Sequence, residues 1–317
     1  MRGLWLEEGR LTYREDLPIP KAGSSEALVR VSLSGICGTD LRLVDGYCTH
    51  RGIPGHEFVG VVVEAAEPAW IGQRVVGEIN LPCGDCAACS AGRPRHCERR
   101  RVLGIRDRPG CFAEFLTLPT ANLHAVPDSV PDQAAVFIEP LAAALEIQEQ
   151  LPVRPAERVL LIGAGRLGQL IAQTLALTGC ALTVVARHPL QRRLLAARGV
   201  ETIGEGSVPQ RRFDRVIEAS GSPGGFRLAR AAVRPGGVLM LKSTYRGTVE
   251  ADLSGLVVDE ITVVGSRCGP FVAALRLLER KAVDPTMLVT AELPLARGLE
   301  GFRRAAEPGA LKVLLRP

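Results

Sequence analysis

Val159-Leu160-Leu161-Ile162-Gly163-Ala164-Gly165-Arg166-Leu167-Gly168 is the stretch that decides the fold. Four apolar residues run directly into a Gly-x-Gly-x-x-Gly turn, and the residues from 167 to 178 carry on with helical spacing. Strand, turn and helix in that order open a βαβ unit. In such a turn Gly163 permits the sharp reversal, Gly165 lets a backbone approach a pyrophosphate, and Gly168 allows the helix to lie close to the strand. Arg166 and Leu167 then sit at the helix N-terminus, whose N–H groups hold an anion. The alternative is a glycine-rich turn without a ligand; the flanking strand and helix favour dinucleotide binding.

Beyond this turn the pattern alternates. Strands are expected at 158–162, 182–186, 215–219, 238–241 and 261–264, with helices at 167–178, 189–198 and 225–233. Such alternation predicts a parallel sheet wrapped by helices. At the end of the second strand, about 20 residues after the turn, an NAD-selective site carries Asp or Glu for the ribose 2′-hydroxyl. This chain has Ala186-Arg187-His188 there. With no carboxylate to repel a 2′-phosphate, and with Arg187 and His188 free to pair with it, NADP is favoured over NAD.

Upstream, residues 4–119 read as short β-rich runs at 27–34, 60–64, 73–77 and 112–118. A helix is expected over 133–150, capped by Asp132 and broken or kinked near Pro140. The tail, with a helix at 271–280 and further segments at 287–291, 296–306 and 312–315, leaves the alternating series and is expected to return to the first domain. At 317 residues the chain exceeds what one core usually supports, so two domains are expected.

Composition removes several functional classes. An apolar fraction of 46% with 23% charged residues excludes disorder, and 4% aromatics means cores of Leu, Val, Ile and Ala. The net charge of +5 comes from scattered Arg, with only four Lys in the chain. Its densest run, Arg99-Arg100-Arg101, reads as a solvated loop, so no nucleic-acid partner is expected. Charged residues through positions 1–20 exclude a signal peptide, and glycines and Arg166 interrupt the apolar stretch 159–177, which excludes a membrane span. Nine cysteines, an odd number, then fit a reduced cytoplasmic protein that ligates metal.

Four of them, Cys83, Cys86, Cys89 and Cys97, follow C-x2-C-x2-C-x7-C spacing, which suits a closed tetrahedral zinc site of structural type. His96 lies inside that run and reads as a loop residue, since Cys97 completes the set. A second constellation is Cys37 in Gly-Ile-Cys-Gly-Thr-Asp, His56 in Pro-Gly-His-Glu, and Glu139 in Glu-Pro-Leu. Cys, His and carboxylate leave an open fourth position, the mark of catalytic zinc. Glu57 is either a ligand or a neighbour that exchanges with solvent. Cys48, Cys111, Cys180 and Cys268 read as buried small apolar residues.

Together these motifs, with Cys111-Phe112-Ala113-Glu114-Phe115, Glu139-Pro140-Leu141-Ala142 and the terminal Lys312-Val313, resemble the zinc-dependent medium-chain alcohol dehydrogenase family, in its sorbitol, threonine and glucose dehydrogenase-like branch. The resemblance implies a doubly wound Rossmann domain joined to a β-rich GroES-like catalytic domain, divided as 1–139, 140–268 and a return over 269–317. It also implies two zinc ions per chain: one on Cys37, His56 and a neighbouring glutamate, with Glu139 as ligand or holder of a zinc-bound water, and one on the four-cysteine lobe. The partners are an alcohol or carbonyl substrate and other copies of the chain, as a homodimer or homotetramer. The expected reaction is hydride transfer between the alcohol and NAD(P), with Thr39 as the expected hydroxyl that moves the proton outward.

Three departures stand out. The family's relay histidine, five residues after the metal cysteine, is Arg42, which cannot accept a proton. Ala186 replaces the acidic residue, and the connection from Asp45 to Pro54 is short. Tyr47, Arg51, Arg267 and Cys268 are the expected pocket-lining side chains. The competing readings are a zinc-independent quinone or enone reductase, and a non-catalytic NADP sensor; metal content per chain separates them.

Overall fold

The structure is a computed structural model that describes residues 1–46, 49–245 and 247–317. Expectations for Tyr47 and Cys48 lie outside the described residues. Two compact units emerge. One comprises Met1–Glu139, Leu275–Glu279 and Asp284–Pro317, and the other Pro140–Ala274 with Arg280–Val283. No helix among the described residues is long and apolar enough to cross a membrane.

The first unit begins with a hairpin of β1 (Gly3–Glu7) and β2 (Arg10–Arg14), closed by Glu8 and Gly9 at φ 50° and 75°. Two successive positive φ values match the right-handed twist of the strands they join. Next come β3 (Glu26–Gly35), α1 (Gly38–Val44), β4 (Glu57–Ala65) and β5 (Arg74–Gly77). The zinc-lobe candidate is framed by β6 (Asn80–Leu81), α2 (Ala87–Ser90) and β7 (Arg101–Val102), and the chain continues through β8 (Phe115–Pro119) and β9 (Leu123–Ala125). Two helices follow, α3 (Asp132–Ala135) and α4 (Ile138–Gln150). The break therefore falls at Val136-Phe137 and not at Pro140. Pro140 occupies the first turn of α4, where its missing N–H has no helical partner to lose.

The second unit holds β10 (Arg158–Ile162), α5 (Arg166–Ala176), β11 (Ala181–Val185), α6 (Pro189–Ala196), β12 (Glu201–Ile203) and β13 (Phe213–Glu218). It is completed by α7 (Pro223–Ala232), β14 (Val233–Leu241), α8 (Leu253–Val258) and β15 (Thr262–Gly265). All six strands are parallel, in the order β12-β11-β10-β13-β14-β15. That order reverses between β10 and β13, the switch point at which open α/β sheets bind ligands. Leu160, Ile162, Val185, Val216, Phe226, Ala229 and Leu239 form its core.

After α9 (Phe271–Glu279) the chain supplies β16 (Val289–Pro294), α10 (Gly298–Ala306) and β17 (Lys312–Arg316). Lys312–Arg316 joins the first unit's seven-stranded sheet, ordered β16-β17-β3-β4-β5-β9. One edge of β3 serves two partners: Glu26–Arg30 pair with β8, and Ser34 and Gly35 with Leu315 and Leu314 of β17. Behind the sheet Val29, Val31, Phe58, Val62, Leu116, Val313 and Leu315 pack with Phe112 and Phe302. Those two rings meet edge to face at 5.6 Å, an arrangement worth about 1 kcal/mol beyond the area it buries.

Candidate active site

Cys37 stands at the N-cap of α1 in an extended conformation, φ −93° and ψ 160°. Its N–H donates to Oδ2 of Asp40 at 2.8 Å, and Ile36 N–H donates to the Val313 carbonyl at 2.9 Å, so this loop is fixed both to its own helix and to β17. His56 lies one residue before β4, after a reversal at Gly55 with φ +98°. A side chain at Gly55 would place its Cβ 2.8 Å from the Phe112 ring and 2.9 Å from the Cys111 sulfur. Cys111 N–H and Phe112 N–H donate to the Gly55 and Pro54 carbonyls, and the Cys111 thiol donates to the Glu57 carbonyl at 3.4 Å. The sequence Pro-Gly-His-Glu thereby presents two functional side chains from one locked loop.

Ligand atoms of Cys37, His56 and Glu57 gather within 4.8 Å of one another, with His56 and Glu57 buried. Glu139, half-buried in the first turn of α4, is not part of that group, and Thr39 is half-buried in the first turn of α1. Two buried residues that sequence reasoning did not single out complete the setting. Asp40 Oδ1 lies 3.2 Å from His56 Nδ1, within ion-pair reach though without hydrogen-bond geometry, so Nε2 is the ring nitrogen not faced by that carboxylate. Lys312, 2% exposed, pairs with Oε2 of Glu57 and stands 5.3 Å above the Phe137 ring. Glu57 opens β4 opposite Gly35, and Gly35 faces Leu314 of β17, so the ion pair spans three adjacent strands. A Cβ on Gly35 would lie 2.5 Å from Glu57 Oε2, so only glycine leaves room for it.

Burial works against an imidazolium at His56, but the charges of Asp40 and Cys37 outweigh it and hold the ring well above the ordinary histidine pKa. This pocket calls for positive charge. Glu57 Oε1 is buried with no hydrogen-bond partner, which is costly unless a cation takes it. Sulfur, imidazole and carboxylate form a donor set that suits zinc, and a carboxylate behind the imidazole is the usual support for a metal-binding histidine. The residues fit the metal.

The second cluster also fits. Cys83, Cys86, Cys89 and Cys97 are all free thiols, with sulfur separations of 3.4 Å for 83–97, 3.5 Å for 86–89 and 4.0 Å for 83–89. A disulfide requires about 2.05 Å. Zn–S bonds of about 2.3 Å give tetrahedral edges of about 3.8 Å, in the middle of the observed range. Backbone N–H groups of Cys89 and Glu98 lower the Cys86 thiol to about 6, while partial burial raises Cys89 to about 11. Arg99 is no free basic patch: it pairs with Asp85 and donates to the Cys83 sulfur at 3.5 Å, offsetting thiolate charge. His96 is exposed and outside the cluster.

In the second unit the glycine turn has the backbone geometry its spacing predicts. Gly163, at φ +102°, runs against the tip of β13, where a Cβ would meet Ala219 C and Ser220 N at 2.8 Å. A Cβ on Gly168 would stand 1.9 Å from the Gly163 carbonyl, whereas one on Gly165 would meet nothing within 4 Å. Gly165 thus faces open space at the N-cap of α5, with Arg166 and Leu167 half-buried in the first turn. That opening and the helix N-terminus beside it fit a pyrophosphate. His188 caps α6, and Arg187 is engaged by Glu205 rather than free. Of the remaining expectations, Cys111 is buried, but Cys180 and Cys268 are only half-buried. Arg51 pairs with Glu7 at 2.8 Å beside a cavity of about 910 Å³ that also borders His50 and Arg108.

Comparison with known proteins agrees with this geometry. The alcohol dehydrogenase GroES-like domain family matches residues 23–128. An L-threonine 3-dehydrogenase of Anaeromyxobacter dehalogenans (strain 2CP-C) is 31% identical over 83% of this chain and 80% of its own length. An L-galactonate-5-dehydrogenase of Escherichia coli (strain K12) is 28% identical over 92% and 90%. Among solved structures, a dehydrogenase of Sinorhizobium meliloti 1021, described as zinc-binding and bound to NADP, superposes with a TM-score of 0.92 at 28% identity, covering 100% of this chain and 99% of that one. With its two metal-fitting clusters and its glycine turn, the chain belongs to the zinc-dependent medium-chain alcohol dehydrogenase family and is an alcohol oxidoreductase.

Proposed function

We propose that this protein carries out reversible hydride transfer between a primary or secondary alcohol, of the polyol, sugar or amino-alcohol type, and the nicotinamide of NAD(P), with NADP favoured. The observation that carries this reading is the convergence of Cys37, His56 and Glu57 within 4.8 Å. Zinc held there supplies a Lewis acid that lowers the pKa of a substrate hydroxyl. Cys37 Sγ, His56 Nε2 and Glu57 Oε1 would hold the ion, and Glu139 would serve as a further ligand or hold water beside it. Asp40 stands 3.2 Å behind the His56 ring as its counter-charge, and Lys312 balances the charge of Glu57.

Thr39 carries the hydroxyl that accepts the substrate proton and passes it outward. Arg42 cannot take over from it, because a guanidinium stays protonated. The N-terminus of α5 would hold the cofactor pyrophosphate through backbone N–H groups. A second zinc, on Cys83, Cys86, Cys89 and Cys97, would brace the lobe, and copies of the chain would associate through the edge strand β15 of the parallel sheet.

Metal analysis with a panel of alcohols and polyols tests the reading. The wild-type protein should carry two zinc ions per chain, one for each cluster. Cys37→Ala should lose one of them and its turnover, while still binding NADPH. Unchanged turnover in that variant would remove the metal from the mechanism.

A further inference from the structure

Ala186, where the acidic residue of an NAD-selective site belongs, is 1% exposed and has no polar side chain to offer. A carboxylate nevertheless stands close by, just past the end of the neighbouring strand, against the residue that follows Ala186. β11 and β12 run parallel with Val185 beside Ile203, and Ala186 N–H donates to the Ile203 carbonyl at 3.2 Å. Just past these paired tips stand Arg187 and Glu205, joined by an ion pair between side chains 64% and 48% exposed. Arg192 closes the group: its Nε donates to the Ala186 carbonyl at 2.9 Å, and its guanidinium lies beside Gly204 at the end of β12.

Resting on the dinucleotide reading above, we propose that Glu205 is the cofactor-selecting carboxylate of this site. Held by Arg187, it accepts the 2′-hydroxyl of an unphosphorylated ribose, and it must release Arg187 before a 2′-phosphate can be taken. The two states differ in charge. With a 2′-hydroxyl, Arg187 and Glu205 neutralise each other and the hydroxyl adds none. With a 2′-phosphate, the dianion competes for Arg187 and faces Glu205 as a like charge. Arg187 and Arg192 favour the phosphate, and Glu205 opposes it, so the wild-type site favours NADPH only weakly over NADH. An exposed ion pair costs little to open, which keeps both states within reach.

Calorimetric titration of the zinc-loaded protein with NADPH and with NADH measures this directly, without turnover. Glu205→Gln should raise the preference for NADPH, as the ratio of the two dissociation constants, roughly fivefold. Arg187→Ala should lower it by about tenfold, because the charge-assisted bond to phosphate is lost. Both residues are exposed, so neither change threatens folding. An unchanged ratio in Glu205→Gln, or a shift toward NADH, would overturn the selector while leaving the dinucleotide reading intact. A wild-type protein that takes up neither nucleotide would overturn both.

Discussion

At the scale of single residues the energetic centre of the site is the buried pair Glu57–Lys312. Neither side chain has water to turn to, so removing one partner leaves an uncompensated charge. Lys312→Met should cost about 3 kcal/mol and Glu57→Gln a similar amount, while the double variant should cost clearly less than the sum. Urea unfolding of the metal-free proteins checks this, since a cation on Glu57 would itself compensate the charge left behind, and additive losses would show that the pair is not coupled. Cys37, His56 and Glu57, which the structure brings together, were picked out in the sequence by their spacing and chemistry. Lys312 and Asp40 appeared only inside the quoted motifs and were not read as parts of the site, because their local signals are weak. The available signals were a lysine set inside the apolar run Leu311-Lys-Val-Leu-Leu, in a chain with only four lysines, and an Asp three residues after an N-cap cysteine. The first becomes informative only when β17 is known to lie beside β3.

At the scale of elements, two glycines of one turn make opposite predictions. Gly168→Ala puts a methyl group 1.9 Å from the Gly163 carbonyl, so α5 must move off β10. Stability should fall by about 2 kcal/mol, together with NADPH affinity. Gly165→Ala meets no protein atom, so its unfolding midpoint should hardly move while NADPH affinity falls at least about tenfold, the methyl group standing where the pyrophosphate approaches. Equal effects of the two substitutions on stability would contradict these assignments. The zinc lobe offers a third test: chelation should expose its four thiols to titration and open residues 83–97 to protease, because clustered thiolates repel without a cation. A lobe that stays resistant would show that it folds without metal. The positions of β10 and of most helices were readable from period and turn signals. The hairpin Gly3–Arg14 and the short helix α1 were not, since each is defined by a turn or a cap rather than by a long periodic run. Pro140 misled because a proline that breaks a helix and one that starts it look alike in sequence.

At the scale of the molecule, each unit solves its edge problem differently. In the first unit, β3 is enclosed by β4, β8 and β17, and the last of these draws the C-terminal segment into a sheet begun by residue 26. Periodicity could show that the tail leaves the βαβ series, but pairing across so many residues is set by the packed sheet and not by any local pattern. In the second unit β15 ends the sheet with no further partner among the described residues. Val263 on that strand is 43% exposed, and Leu253, Val257 and Val258 on the preceding helix are 70%, 76% and 81% exposed. An open strand edge beside apolar side chains is a template for pairing with another chain. A second copy presenting the same edge would cover both features by two-fold symmetry. Sedimentation of the wild-type protein should therefore give a dimer or a multiple of it. Val263→Lys combined with Val258→Glu should shift it to monomer, with the zinc content of each chain unchanged. A monomeric wild type, or a variant that sediments like it, would leave those valines as exposed apolar surface and place any self-association elsewhere.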